Sequence, residues 1–104
     1  MLNTEHIEEL SSRIRKQFGP ERIVLFGSYA GETADEDSDV DLLVVAETSI
    51  EPRKRYSAVR RLAADMPAAF DIIFKTPQEY YRLRNVVNSI VYFADKYGKV
   101  LYER

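Results

Sequence analysis

The stretch Leu25-Phe-Gly-Ser-Tyr-Ala-Gly-Glu-Thr-Ala-Asp-Glu-Asp-Ser-Asp-Val-Asp-Leu-Leu-Val-Val45 decides the reading of this chain. An apolar run ends at Gly27-Ser28, a polar loop follows, and Asp39 and Asp41 stand at the head of a second apolar run. On a strand, side chains two residues apart point to one face, so the two carboxylates would lie roughly 7 Å apart on the same side. Like charges held that close are unfavourable unless a cation or a proton relieves them, and oxygen ligands at this spacing suit a divalent cation. A glycine permits close backbone approach, and successive N–H groups at a turn can cradle a phosphate, which makes Gly27 and Ser28 a candidate phosphate seat.

The flanking sequence reads as alternating helices and strands. Asn3 or Thr4 is placed to cap a first helix whose Ile7, Leu10, Ile14 and Phe18 follow helical spacing, with Gly19-Pro20 as its stop. Arg22–Phe26 and Asp39–Ala46 read as buried strands. Ser49 to Pro52 reads as a helix start, with Tyr56, Val59, Leu62, Ala63 and Met66 as the apolar stripe before Pro67. Phe70–Phe74 is strand-like, and Thr76-Pro77-Gln-Glu79 opens another helix through a capping residue and a proline. Asn85 or Asn88 is expected to start a last helix ending near Gly98, and Lys99 to Tyr102 reads as an edge strand or a tail. The expected architecture is α/β (α+β): one domain over residues 1–104, with a small mixed sheet flanked by helices.

Asp71 is a third carboxylate of interest, because it interrupts an apolar strand where a charge is costly. If that strand lies beside the one carrying Asp39 and Asp41, three carboxylates converge at one end of the sheet. Magnesium takes one or two carboxylates together with substrate phosphates, and a pair of such ions can clamp an in-line displacement. Asp39, Asp41 and Asp71 are therefore the candidate metal ligands and catalytic residues, with Asp71 also suited to accept a proton from an attacking hydroxyl. The plainer alternatives are a solvated acidic turn for Asp39 and Asp41, and an ordinary ion-paired carboxylate for Asp71.

Other motifs fail on their own terms. Asp35 to Asp41 lacks the glycine and closing glutamate of an EF-hand, no Lys-Ser or Lys-Thr follows Gly31 as a P-loop needs, and a dinucleotide fingerprint would need more glycines. Asp35, Glu36 and Asp37 read as solvated loop charges.

Gly27-Ser28, ten intervening residues, Asp39-Val40-Asp41 and a later strand aspartate, Asp71, resemble the signature of the nucleotidyltransferase superfamily related to DNA polymerase beta. The short length and the Gly-Ser-Tyr-Ala opening are similar to its minimal nucleotidyltransferase (MNT) branch. The resemblance runs from the strand before Gly27 to the terminal Lys99-Val-Leu-Tyr102. It implies the nucleotidyltransferase fold and a Mg2+-dependent transfer of a nucleoside monophosphate from ATP or another NTP to a hydroxyl, releasing pyrophosphate. It also implies a role like that of MNT antitoxins, which pair with a HEPN-type toxin and, in some cases, adenylylate a toxin tyrosine. Many relatives read Gly-Ser-Tyr-Ala-Arg-Gly, whereas here Gly31 and Glu32 follow Ala30, so the loop arginine is absent. An acidic residue there repels phosphate unless it points outward or is offset by metal. Arg22, Lys75 or a partner residue are candidates to compensate. A catalytically weak or inactive module acting by contact with its partner is the alternative reading, and a small-molecule or RNA acceptor is a third.

Bulk properties bound the function. Of the 104 residues, 45% are hydrophobic and 31% charged, as in a folded globular protein. The net charge of -2 argues against a general nucleic-acid coat, which needs a basic surface to displace counterions. No Lys or Arg occurs between Arg22 and Arg53, a span holding eight acidic residues, so negative charge is concentrated around the motif. Absence of cysteine excludes disulfides and thiolate metal sites. Met1-Leu-Asn-Thr-Glu-His6 has neither the basic nor the apolar region of a signal peptide, and no apolar run is long enough to span a bilayer, which gives an expected cytoplasmic protein with no membrane association.

Arg53-Lys-Arg55 and Arg60-Arg61 read as the wet face of an amphipathic helix. Val86, Val87, Ile90, Val91, Phe93 and Ala94 cover more than one helical stripe, which core packing explains most simply, with a surface for a partner or a second copy, as in a homo-oligomer, as the alternative. His6 reads as an exposed residue, with no second histidine to join it as a ligand.

Overall fold

The structure is a computed structural model that describes residues 4–27, 40–66 and 70–104. Helix α1 spans Thr4–Phe18 and its apolar spacing does what the sequence suggests: Ile7, Leu10 and Ile14 are buried. Gly19 ends it with φ +55, and its N–H donates to Arg15 O at 3.1 Å, the left-handed stop that a glycine adopts without strain. Asn3, one of the two candidate caps, lies outside the described residues.

Strand β1 (Arg22–Phe26) runs antiparallel to β2 (Val40–Val45), and β3 (Phe70–Lys75) lies parallel to β2 on its other side. Strand β4 (Lys99–Glu103) pairs antiparallel with β1, with a register shift between Ile23 and Val24, so the order is β3-β2-β1-β4. The C-terminal segment is thus an edge strand. The sheet is mixed, as expected, because the helical crossover between β2 and β3 makes that pair parallel while the other pairs are antiparallel.

Period-two alternation splits the strand side chains between two faces. Ile23, Leu25, Leu42, Val44, Ile72 and Phe74 face α1 and helix α2 (Pro52–Arg60), and Phe18 meets Phe74 edge to face at 5.2 Å. Val24, Phe26, Leu43 and Val45 face helices α3 (Pro77–Leu83) and α4 (Ile90–Tyr97), where Tyr80, Val91 and Ala94 close the core. The central strands β1 and β2 are apolar on both sides because both faces are covered there, whereas the edge strands β3 and β4 are partly exposed.

Three local expectations for α2 and α4 are corrected. In α2 the buried side chain of the first turns is Arg55, 8% exposed, whereas Tyr56 is exposed. The reason is a specific partner: Arg55 Nη1 donates to Glu79 Oε1 at 2.6 Å and its Nε to Ile50 O at 2.9 Å, so the guanidinium is taken out of water only where acceptors are supplied. The apolar stripe also stops being α-helical at Arg60, and Arg61–Ala63 tightens into a 3₁₀ turn. The cap of α4 is Ser89, not Asn85 or Asn88: its Oγ accepts from Tyr92 N at 3.0 Å and donates to Leu83 O at 2.9 Å, tying the turn on both sides.

The Thr76 cap is as expected and is reciprocal. Thr76 Oγ1 accepts from Glu79 N at 3.2 Å, and Glu79 Oε1 accepts from Thr76 N at 2.8 Å. His6 is half-buried, not exposed. Among the described residues no helix is long and apolar enough to cross a membrane.

Candidate active site

Strand β1 delivers the chain to Gly27, and the antiparallel register sets Phe26 opposite Asp41. Gly27 has φ +75, a left-handed conformation that disfavours any side chain. A Cβ built there would stand 2.2 Å from Asp41 Oδ2 and 3.2 Å from its Cγ. The Asp41 carboxylate therefore occupies the space that a side chain at position 27 would need. Glycine is required twice over, for its backbone angle and for the volume it leaves to the carboxylate.

On the other side of β2 the parallel register pairs Asp41 with Asp71. Neighbouring strands run about 4.8 Å apart, and residues in register share a face, so the two carboxylates leave the sheet side by side. Asp41 is half-buried and Asp71 exposed. Asp71 sits on an apolar strand yet avoids a burial penalty because the edge strand turns it to solvent. The pair forms an all-oxygen donor set of the kind that magnesium takes. Asp39 and Ser28, the remaining candidates, and the Gly31-Glu32 departure lie outside the described residues. Among the described residues no group of three or more His, Asp or Glu side chains is assembled for a metal.

Asp41 opens onto a cleft of about 470 Å3. Phe26, Gly27 and Asp41 line one side, and Val87, Ile90 and Phe93, from the turn before α4 and its first two turns, line the other. Asn88 and Ser89 complete it. Sequence reasoning did not place these residues at the site, although the apolar excess over residues 86–94 was the signal. Val91 and Ala94 take the core positions, which leaves Val86, Val87, Ile90 and Phe93 exposed.

Neither Arg22 nor Lys75 stands near the carboxylates. Both register with Val45, at the end of the sheet opposite Phe26 and Asp41, roughly 13 Å away by strand rise. Arg22 is engaged there: it donates to Glu103 Oε1 at 2.7 Å and lies 3.9 Å from Asp95 Oδ1. That carboxylate accepts the Tyr80 hydroxyl and is 3.4 Å from Arg84 Nη2, while both guanidinium groups lie over the Tyr80 ring. Burial, and then the Asp95 hydrogen bond, push the Tyr80 phenol up to about 12. This cluster joins β1, β4, α3 and α4 at the far end of the sheet and serves packing.

Residues 7–93 match the model of the nucleotidyltransferase domain family. The chain belongs to that family. It is 32% identical over 96 residues to the protein adenylyltransferase MntA of Thermococcus cleftensis, an alignment covering 88% of this chain and 97% of that one. A toxin–antitoxin crystal structure with AMP-PNP superposes with a TM-score of 0.66 at 26% identity, over 99% of this chain and 75% of the other. An MntA–HepT toxin–antitoxin structure shares the fold, with a TM-score of 0.63 at 20% identity over 98% and 74% of the two chains. The mixed sheet flanked by helices is the nucleotidyltransferase fold.

Proposed function

We propose that this nucleotidyltransferase-family chain transfers a nucleoside monophosphate, AMP from ATP, to a hydroxyl of a protein partner, and that the partner is a HEPN-type toxin it neutralises. The observation that carries the reading is the in-register pairing of Asp41 with Asp71 beside a glycine whose missing side chain makes room for the Asp41 carboxylate. Similarity to MntA over nearly the whole of both chains supports a protein acceptor, and similarity to a toxin–antitoxin structure supports the partner.

Asp41 and Asp71, with Asp39, would hold Mg2+, which when bound neutralises phosphate charge and favours ionisation of the attacking hydroxyl. Gly27 and Ser28 would receive the triphosphate through backbone N–H groups. The acceptor oxygen attacks the α-phosphorus in line, a new P–O ester bond forms as the bond to the β-phosphate oxygen breaks, and pyrophosphate leaves. Asp71, exposed on the edge strand β3, would take the hydroxyl proton.

The absent loop arginine favours a second reading, in which the chain neutralises by contact alone. One experiment separates the two: incubation with labelled ATP, Mg2+ and the product of the neighbouring gene, followed by mass spectrometry. Addition of AMP to the partner, lost in Asp41→Asn, is the expected result. No addition with any triphosphate, together with undiminished neutralisation by Asp41→Asn, would establish the contact reading instead.

A further inference from the structure

We infer that the outward face of α4 is where the protein acceptor docks, and that the acceptor offers its hydroxyl from an apolar segment with an arginine or lysine beside it. The inference rests on the transferase reading and adds to it the docking surface and the chemistry of the segment that covers it.

Helix α4 is apolar on two sides and covered on one. Val91 and Ala94 are buried in the core, whereas Ile90, Phe93 and Tyr97 are 49%, 47% and 62% exposed at a spacing of three and four residues, which puts them on one stripe. A helix apolar all round has the composition of one that is covered all round. Val86 and Val87 precede the stripe and Val100 follows it, so six of the eight large exposed apolar side chains among the described residues fall within residues 86–100. Scattered exposure is ordinary, but a concentration of this kind marks an interaction surface. The Phe93 ring is held edge to face by Phe26 at 6.5 Å and stands 5.4 Å from the Tyr97 ring, so the stripe is braced before anything docks on it.

Two features select the occupant. The stripe is continuous with the candidate active site, because Val87, Ile90 and Phe93 line the same cleft as Gly27 and Asp41. A segment laid along α4 therefore enters the cleft beside the carboxylates to which its hydroxyl must come. Charge at this edge is one-sided as well. The span between Arg22 and Arg53 holds eight acidic residues and no basic one. Cations of the neighbouring strands and of α4 are directed elsewhere. Arg22 and Lys75 register with Val45 at the far end, Lys99 registers with Leu25, whose side chain faces α1, and Lys96 donates to the Tyr92 hydroxyl. A basic side chain on the incoming segment is attracted to this acidic edge and brings the positive charge that the chain's own loop lacks, whereas an acidic segment is repelled. A second copy docked by the same stripe brings its own acidic span to that edge, which disfavours self-association.

The test is sedimentation velocity of the full chain mixed with the product of the neighbouring gene, without Mg2+ and at low and high salt, for the wild type, Tyr97→Asp and Val87→Asp. Both side chains are largely exposed, so both variants should keep the wild-type melting temperature. Each should weaken the complex about tenfold or more, the scale of a disrupted anchor at the centre of an interface. Calorimetric binding of ATP with Mg2+ to Tyr97→Asp should stay at the wild-type level. The wild-type affinity should fall as salt rises, and Asp71→Lys, which reverses a charge at the edge, should weaken the complex and flatten that dependence. A complex equally tight in Tyr97→Asp and Val87→Asp would overturn the docking surface, and one strengthened by Asp71→Lys would overturn the basic segment. Dimers of this chain alone that Tyr97→Asp abolishes would give the stripe to a second copy instead. No complex with the wild type would remove the partner reading itself, whereas a complex indifferent to the stripe removes this inference alone. If Tyr97→Asp does not fold, Val87→Asp, in the turn before α4, decides.

Discussion

Gly27→Ala tests the geometry of the site most sharply. The substitution puts a Cβ on a residue at φ +75, which costs an L-residue roughly 1–2 kcal/mol. The new atom also meets Asp41 Oδ2 at 2.2 Å, so the carboxylate must retreat to at least 3.0 Å, and a side chain pushed off its rotamer adds about 0.5–1.5 kcal/mol. Gly19→Ala is the control, because Gly19 has φ +55 with nothing within 4 Å of the position its Cβ would take. We expect Gly27→Ala to lose about 2 kcal/mol, or roughly 8–16 °C in Tm for a domain of this size, and Gly19→Ala about half of that. Differential scanning calorimetry reads both. Transfer of AMP should fall about 100-fold in Gly27→Ala, the cost of a group misplaced by about 1 Å, and stay unchanged in Gly19→Ala. Gly27→Ala combined with Asp41→Ala should recover part of the lost stability, since the clash disappears. Normal activity and melting in Gly27→Ala would refute the reasoning.

Further outcomes follow from other contacts. Burial of Glu79 opposes its ionisation, but the Thr76 backbone N–H and the Arg55 guanidinium outweigh that and hold its carboxyl below the usual range. A lowered folded-state pKa contributes stability above the unfolded value and loses it as pH falls through the folded one. Glu79→Gln should therefore flatten the fall in urea-unfolding free energy below about pH 4.5. Arg55→Ala should cost about 2–3 kcal/mol, read from the same urea curves, because it strips a half-buried carboxylate of its cation. Tyr80→Phe should cost about 1–2 kcal/mol in thermal melts, since Asp95 loses a hydroxyl donor but keeps Arg22 and Arg84. Ser89→Ala should cost about 1 kcal/mol through loss of the α4 cap, visible as reduced melting temperature.

Much of this architecture was legible because local rules and tertiary packing agree. Gly19-Pro20 stops α1, the Thr76 and Glu79 pair starts α3, and the apolar runs Arg22–Phe26 and Phe70–Phe74 became strands, the first buried on both faces and the second buried on the face toward α1 and α2, with Asp71 exposed on the other. Where a distant partner decides, periodicity misleads. Arg55 reads as a surface charge until Glu79, on another helix, is brought to it, and Tyr56 then takes the exposed position. Ser89, rather than either neighbouring asparagine, caps α4 because Leu83 O lies within reach of its hydroxyl.

The site divides in the same way. That Asp41 and Asp71 share a face follows from strand periodicity only once β3 is known to lie parallel to β2 with Asp41 opposite Asp71, a register no local pattern specifies. Gly27 was legible as a backbone requirement, whereas its role as the gap filled by Asp41 needed the fold. Arg22 and Lys75 looked able to replace the missing loop arginine because sequence proximity to strands hides which end of the sheet a residue occupies.

The central claim is that Asp41 and Asp71 act together on the cations of a bound nucleotide. Manganese binding followed by electron paramagnetic resonance, in the presence of a non-hydrolysable ATP analogue, tests it most directly. Two ions per chain are predicted for the wild type, on the scheme of paired metals in phosphoryl transfer. Asp71→Asn, an exposed and nearly isosteric change that leaves the melting temperature unaltered, should lose one ion. Unchanged manganese stoichiometry in Asp71→Asn and in Asp41→Asn would contradict the account.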